Sequence, residues 1–297
     1  MHIPVLLKEV IEVINPKIGD VIIDGTAGSG GHAEKILEKI GDSGRLLLVD
    51  WDKENAEKLE QKFSAHKNVL CVNGNYAELP VIMAKNDFPK ADGLLLDLGF
   101  SSEQLEMENR PACAGRGFSF RKDEPLIMTY SDESESLEEF LKRTNVSELT
   151  EIINKFGEEK YARKIAEAII KERHRINSSK ALGEAIRKAV PKFYERGRIH
   201  PATRTFQALR IYLNRELENL EKALDSLDQI LKPGGRVVII SFHSLEDRIV
   251  KLKFNELFKK GRLHLLAKKP IGPSDEEAVK NPRSRSAKLR GAILKSD

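Results

Sequence analysis

The chain has 297 residues, of which 40% are hydrophobic and 32% charged, with a formal net charge of +4 at pH 7. That length allows one large domain or two, and the composition is ordinary for a soluble globular protein. Cys71 and Cys113 are the two cysteines and lack metal-type spacing, so we expect no disulfide framework, no metal and a cytoplasmic location. The opening stretch MHIPVLLKEV does not resemble a signal peptide, and no apolar run approaches membrane-spanning length, so we expect no membrane partner.

Short apolar segments bounded by Gly, Asp or Asn predict five buried strands. They cover residues 20–24, 45–50, 68–72, 91–98 and 236–242. Helical patterns separate the first four, and this alternation is typical of parallel βαβ units. We therefore predict an α/β fold with a mainly parallel sheet and helices on both faces.

A glycine-rich loop follows the first predicted strand, in the stretch DGTAGSGGHA at residues 24–33. Gly28, Gly30 and Ala33 fit the pattern G-x-G-x-x-A, in which glycines allow a tight turn and a close approach of the backbone to a ligand. Asp50 follows 22 residues after Gly28 and can accept hydrogen bonds from ribose hydroxyls. Alone, the pattern predicts a nucleotide cofactor without separating NAD from S-adenosylmethionine (SAM).

Three carboxylates at strand ends favour SAM over NAD. Asp24, Asp50 and Asp97 each end a predicted strand, and the ligand crevice of such sheets lies outside the carboxyl ends of the strands. Acidic groups attract the sulfonium and ammonium of SAM, whereas they would repel a pyrophosphate. In the stretch DLGF, Asp97 is also the candidate catalytic residue, because its carboxylate can accept a hydrogen bond from an amino group under methylation.

The strand rhythm stops near residue 110. Residues 115–197 look helical and polar, which predicts a helical insertion between two parts of an α/β domain, residues 1–114 and 198–297. Residues 115–157 carry six Lys/Arg against nine Asp/Glu, whereas residues 158–200 carry twelve against six. The second segment therefore fits a polyanionic partner.

The remaining elements complete the sheet. Apolar residues spaced by three or four from Phe206 to Leu231 predict a crossover helix, and segments 262–267 and 288–294 predict a closing pair of strands. Ser244 and Asp247 have the spacing of a capping box for the helix after the fifth strand. The basic stretch NPRSRSAKLR, residues 281–290, is a candidate for phosphate contacts.

The motifs together resemble those of the bacterial ribosomal RNA small-subunit methyltransferase H family, also called MraW. They run in order along nearly the whole chain: HIPVLLKEV, DGTAGSGGHAEKIL, DLGFSSEQLE, GEEKYARKIA, IHPATRTFQALRIYLNREL, SFHSLEDRIVK and NPRSRSAKLR. The resemblance implies a class I SAM-dependent methyltransferase domain with a helical substrate-recognition insertion. It also implies methyl transfer to N4 of a cytidine in the decoding region of small-subunit rRNA. We expect that rRNA to be bound within the small ribosomal subunit, and we expect no DNA partner.

The resemblance and the residue patterns together assign candidate site residues. The cofactor-binding candidates are Asp24, Gly28, Gly30, Gly31, His32, Asp50, Tyr76, Asp97 and Gln104. The candidates for RNA contacts are Phe100, Ser101, Ser102, Arg204, His243, Arg283, Arg285, Lys288 and Arg290.

Two other functions stay open at this stage. A nicotinamide-dependent oxidoreductase could use the same sheet and glycine loop, although the chain shows no convincing Tyr-x-x-x-Lys arrangement. A non-catalytic RNA-binding assembly factor could retain a SAM pocket. Titration with SAM and with NAD separates the first alternative, and turnover on ribosomal particles separates the second.

Overall fold

The computed structural model describes residues 4–99, 115–196 and 200–296. The chain divides into two compact units, the first formed by Met1–Ser101 with Leu217–Asp297 and the second by Ser102–Glu216. The second unit encloses the predicted insertion 115–197 and extends beyond it at both ends.

The described residues of the first unit contain one seven-stranded sheet in the order β3-β2-β1-β4-β5-β7-β6. Strands β1 to β5 run parallel to one another, whereas β7 is antiparallel to both β5 and β6. The mainly parallel sheet and its antiparallel closing pair are therefore as predicted. The strands are β1 Val21–Asp24, β2 Arg45–Asp50, β3 Val69–Asn73, β4 Ala91–Asp97, β5 Leu231–Ser241, β6 Leu263–Leu265 and β7 Lys288–Leu294.

Helices cover both faces of this sheet, as predicted. In β1 and β2, Ile23 and Leu47 pack with one apolar cluster, and their neighbours Ile22 and Leu46 pack with another. All four are almost fully buried, so each contributes on the order of 2 kcal/mol of hydrophobic stabilisation. The helices of this unit are α1 Leu7–Ile14, α2 Gly31–Ile40, α3 Lys53–Phe63, α4 Leu79–Lys85, α10 Glu216–Asp225, α11 Leu227–Ile230, α12 Ser244–Lys259 and α13 Asp275–Lys280, with Glu216 itself the last residue of the second unit.

The second unit is helical around an apolar core of its own. Phe140, Leu149 and Ile165 are fully buried in that core. Its helices are α5 Leu137–Arg143, α6 Val146–Gly157, α7 Ala162–Glu172, α8 Ser179–Ala189 and α9 Ala202–Leu213. Helix α5 begins with a capping box in which Ser136 and Glu139 exchange hydrogen bonds.

The segment 115–136 is not helical, in contrast to the expectation that helix begins near Gly115. Gly117 and Met128 adopt left-handed backbone conformations, which interrupt regular structure. The buried carboxylate of Glu124 accepts a hydrogen bond from the Gly117 N–H at 3.0 Å, and its own N–H donates to the Ser179 hydroxyl at 3.2 Å. Polar anchors therefore hold this segment in place of helical hydrogen bonds.

The prediction of a single crossover helix from Phe206 to Leu231 is wrong, because three helices take its place. Helix α9 ends at Leu213, and Arg215 has a left-handed backbone with φ of 50°. The Asn214 side chain accepts from the Tyr130 N–H at 2.9 Å and donates to the Met128 carbonyl at 2.9 Å, which fixes the break. The leucine spacing continues across this break because Phe206 packs in the core of the second unit and Leu220 in that of the first.

Among the helices of the described ranges, none combines the length and the apolar character that crossing a lipid bilayer requires.

Candidate active site

The glycine-rich loop connects β1 to α2 at the carboxyl edge of the sheet. Gly28 and Gly30 have φ of 53° and 79°, a left-handed conformation that side chains other than glycine adopt at a cost. A Cβ at Gly30 would also stand 2.8 Å from the Phe63 ring. The loop therefore needs glycine at both positions, and it leads directly into the N-terminus of α2 at Gly31.

Asp50 joins the end of β2 to this loop. Its Oδ2 accepts from the Gly28 N–H at 2.7 Å, while Oδ1 accepts from the Asp52 N–H at 2.9 Å and the Asn55 amide at 3.3 Å. Burial raises the pKa of Asp50 to about 6, although these hydrogen bonds oppose the shift. The carboxylate thus fixes the loop as well as lying where a ribose is predicted to bind.

Asp24 ends β1 and is the most deeply buried acid of the site, at 1% exposure. Burial raises its pKa to about 7, with nearby His32 acting in the opposite direction and Asp97 and Asp50 adding to the rise. A carboxylate buried beside two others is unfavourable in the ionised form without a cation. The arrangement therefore fits a positively charged ligand and does not fit a phosphate.

Asp97 ends β4 and faces His32 from the first turn of α2. The His32 Nε2 lies 3.5 Å from the Asp97 Oδ2, and the imidazole is 6% exposed. In the described parts of the chain, neither His32 ring nitrogen nor the Asp97 Oδ1 has a hydrogen-bond partner. Unsatisfied buried polar atoms are costly, so their presence marks a place where a ligand or a proton is exchanged.

Thr26 and Pro4 belong to the same site, although the sequence analysis did not single them out. The Asp97 N–H donates to the Thr26 hydroxyl at 2.6 Å, which links the loop to β4. A Cβ on Gly31 would stand 2.5 Å from the Pro4 ring, so the N-terminal segment packs against the start of α2. For Thr26, its position inside the glycine-rich loop was a sequence signal that could have identified it.

Tyr76 lies beside the loop in a 3-10 turn, Tyr76–Glu78, that follows β3. A Cβ on Gly25 would lie 3.2 Å from the Tyr76 Cβ, and the tyrosine ring is half-buried. The structure therefore brings together the predicted cofactor-binding residues that it describes: Asp24, Gly28, Gly30, Gly31, His32, Asp50, Tyr76 and Asp97. Gln104, Phe100, Ser101 and Ser102 lie outside the described residues.

His243 caps helix α12, and the predicted capping box is displaced by one residue. The helix begins at Ser244, so His243 occupies the N-cap and its Nδ1 accepts from the Glu246 N–H at 3.4 Å. Glu246 in turn accepts from the Phe242 N–H at 2.9 Å. The pair is therefore His243 and Glu246 rather than Ser244 and Asp247.

Asp247 instead binds two of the basic residues predicted to contact RNA. Its carboxylate lies 2.7 Å from the Arg290 Nε and 3.2 Å from the Lys288 Nζ. Burial alone would raise the pKa of Asp247, but the two cations hold it below its usual value. Lys288 and Arg290 are therefore partly neutralised within the first unit.

The other basic candidates lie in two separate places. Arg283 and Arg285 are in the 3-10 turn Pro282–Ser286, where the Arg285 Nε donates to the Ala278 carbonyl at 3.1 Å. Arg204 lies in α9 of the second unit, and its guanidinium donates to the Glu158 carbonyl at 3.4 Å. Arg283 and Arg285 thus belong to the first unit and Arg204 to the second.

The sequence matches a protein-family model described as the MraW methylase family over residues 1–295. A ribosomal RNA small subunit methyltransferase H of Thermotoga neapolitana is 44% identical over 299 residues, covering 99% of this chain and 96% of that protein. The proteins of the same name from Clostridium botulinum strain Kyoto and Halothermothrix orenii are 42% and 40% identical, with 97% and 98% of this chain covered and 97% of each relative.

These matches confirm the resemblance found in the sequence. With the observed sheet, they also confirm the predicted class I methyltransferase fold and the predicted cofactor, SAM. The acidic strand ends and the glycine loop fit that cofactor on physical grounds, because SAM carries a sulfonium and an ammonium group. The chain belongs to the MraW methylase family.

Proposed function

We propose that this protein transfers a methyl group from SAM to the exocyclic N4 of a cytidine in the decoding region of small-subunit rRNA. The observation that carries the proposal is the cluster of three carboxylates, Asp24, Asp50 and Asp97, around a glycine-rich loop in a chain whose relatives are named ribosomal RNA small subunit methyltransferases. The substrate in this proposal is rRNA within the small ribosomal subunit.

The residues have distinct parts in this reaction. Asp50 fixes the loop and accepts from the ribose, and Asp24 provides negative charge for the cationic groups of SAM. Asp97 is the catalytic residue, since its Oδ1, which has no hydrogen-bond partner among the described residues, can accept a hydrogen bond from the amino group that is methylated. The lone pair of the exocyclic amino nitrogen is delocalised into the cytosine ring. A hydrogen bond to Asp97 favours a pyramidal nitrogen, which makes that lone pair available to attack the methyl group.

The RNA-recognition part of the proposal concerns the helical insertion 115–197. Segment 158–200 carries a net charge of +6, which attracts the phosphate backbone and contributes affinity without sequence readout. Arg283, Arg285 and Arg204 add phosphate contacts in this proposal, while Lys288 and Arg290 first have to leave or share Asp247.

The decisive experiment incubates the protein with isotopically labelled SAM and with unmethylated small ribosomal subunits, then maps the label by mass spectrometry. We expect one labelled cytidine with the methyl group on N4. Label on a guanine, an adenine or a protein would refute the substrate assignment. SAM binding without turnover on naked or assembled particles would favour a non-catalytic assembly factor.

The cofactor site has its own test. D50A removes the acceptor of the Gly28 and Asp52 N–H groups, so we expect SAM affinity measured by calorimetry to fall about 100-fold or more. D42A, at an exposed position before β2, is the matched control and should bind normally. Undiminished SAM affinity of a folded D50A protein, or tight binding of NAD, would contradict the assigned site.

A further inference from the structure

The imidazole of His32 is buried in the proposed cofactor site without a described hydrogen-bond partner. The Asp97 Oδ2 lies 3.5 Å from its Nε2. This separation is too long for a good hydrogen bond, yet a small side-chain rotation would bring the two atoms into proton-transfer range. The backbone of the loop can hold a cofactor without this imidazole, so its burial beside Asp97 calls for a separate explanation.

We propose that His32 is a proton relay acting through Asp97, whose Nε2 receives the proton that Asp97 takes from the methylated amino group. The inference rests on the proposed function and adds a positioning residue to it. His32 touches neither the base nor the methyl group in this proposal, since it works on Asp97.

In this relay one proton moves from the amino nitrogen through Asp97 and His32 to water. When SAM is bound, the amino nitrogen forms a bond to the methyl carbon, and the electron pair of the broken carbon–sulfur bond stays on sulfur. Asp97 accepts one proton from the resulting cationic nitrogen, leaving a neutral methylated amine. Asp97 then passes that proton to the His32 Nε2 and returns to its carboxylate form, and the imidazolium releases the proton to water after product leaves.

The charge of the site explains why a histidine suits this position. The carboxylates of Asp97 and Asp50 act on Asp24 and raise its pKa, and His32 acts on it in the opposite direction. Methyl transfer converts the cationic sulfonium into a neutral thioether, so the carboxylates lose their counter-charge. A proton on His32 replaces that charge within the same cluster, which lowers the cost of leaving buried carboxylates unpaired.

His32 lies in the first turn of α2, where the partial positive charge of the helix N-terminus disfavours a cation. A bound sulfonium adds to that effect. Both effects oppose a positive charge on His32, and the contribution of the sulfonium ends when it becomes a thioether.

A test on the unchanged protein needs no RNA. The His32 ring is followed by NMR at pH 7 in complexes with SAM and with S-adenosylhomocysteine, with the signal assigned by its loss in H32Q. We expect a larger protonated fraction in the S-adenosylhomocysteine complex, while the exposed His264 titrates alike in both. Equal protonation of His32 in the two complexes would overturn the relay.

A kinetic test uses H32Q, with H264Q as the matched control. In single-turnover methyl transfer to small subunits at saturating SAM, we expect H32Q to be about 100-fold slower than the wild type. An unchanged rate in H32Q would refute the relay, and so would a rate loss that disappears when SAM is raised to saturation. If wild-type protein shows no methyl transfer, the proposed function fails, and the NMR comparison decides the relay. If H32Q does not fold, H32N takes its place in both the assignment and the rate measurement.

Discussion

Asp24 shows how a single residue links burial, proton binding and ligand choice. Its pKa is raised to about 7 in the folded protein, from an ordinary value of 3.8. Between about pH 4 and 7 the folded state therefore holds this proton more tightly than the unfolded state. By linkage, the contribution of Asp24 to stability decreases as pH rises through that window, in the absence of a cationic ligand. Asp50, with a pKa raised to about 6, acts in the same direction.

We therefore expect D24N to reduce the loss of stability between pH 5 and pH 8 in the ligand-free protein, because the amide carries no charge at either pH. Denaturant unfolding at the two pH values measures the effect, and the same variant should bind SAM more weakly at pH 8. D20N changes a partly exposed carboxylate ahead of β1, which accepts from the Lys17 N–H, and serves as the control. An identical pH dependence in D24N and the wild type would contradict the assignment.

At the scale of elements, the N-terminal segment is held against the glycine-rich loop by a residue far away in sequence. The Glu277 Oε1 in α13 accepts from the Leu6 N–H at 2.7 Å. This bond fixes the chain two residues after Pro4, whose ring packs on Gly31 at the start of α2. Helix α13 therefore helps to set the position of the proposed cofactor loop.

E277A should weaken SAM binding several-fold, because it frees the segment that packs on Gly31. E277Q keeps a side-chain oxygen that can accept from Leu6 and should retain most of the affinity. Glu276 is the neighbour of Glu277 in sequence, and E276A removes only its exposed ion pair with Lys280. We expect E276A to bind SAM with the wild-type affinity. Calorimetric titration with SAM compares the three variants, and equal affinities for E277A and E276A would refute this role.

Close packing of two helices in the second unit gives another prediction. A Cβ at Gly157, the last residue of α6, would stand 2.7 Å from the backbone oxygen of Arg204 in α9. Since a backbone oxygen cannot rotate away, G157A should destabilise the protein by about 1–3 kcal/mol. G272A is the control, because nothing lies closer than 4.0 Å to its added methyl group. Thermal unfolding measures both, and equal melting temperatures would show that the helices can separate at little cost.

For the whole molecule, the sequence predicted most of the sheet because buried parallel strands leave a strong local signal. Ile22, Leu47 and Leu95 lie in short apolar runs that end at glycine or aspartate, and all are core residues of the first unit. The break at Asn214 left no such signal, since the leucine spacing runs through it and its cause is a contact with residues more than 80 positions away.

In the candidate site too, local sequence patterns predicted some residues, whereas contacts between distant parts of the chain left no local signal. Residues within the glycine loop and at strand ends were found from local pattern, because parallel strands bring their carboxyl ends to one edge. The contacts of Pro4 on Gly31 and of Asp247 with Arg290 join distant parts of the chain, and local spacing carries no information on them. Asp247 was predicted as a cap because its spacing from Ser244 fits one, whereas tertiary ion pairs determine its partners.

The charge difference along the chain leads to a last prediction, for RNA binding by the second unit. Phe193 is 64% exposed, in the 3-10 turn Lys192–Arg196 within the basic segment 158–200. Beside it in sequence, Tyr194 packs edge-on against Tyr161 at 5.1 Å, with the Lys160 Nζ 5.1 Å from the Tyr194 ring centroid. An exposed ring next to cations is the arrangement on which unpaired RNA bases stack.

Since stacking of one base contributes about 1–3 kcal/mol, F193A should weaken binding of a single-stranded RNA oligonucleotide at least about fivefold, and F193W should restore it. F258A removes another exposed phenylalanine, 49% exposed on α12 of the first unit, and should bind RNA like the wild type. Fluorescence anisotropy at two salt concentrations measures affinity and separates stacking from phosphate contacts, because loss of a ring leaves the salt dependence unchanged. Equal losses in F193A and F258A would show that exposed rings act non-specifically, and no loss in F193A would place base recognition elsewhere in the chain.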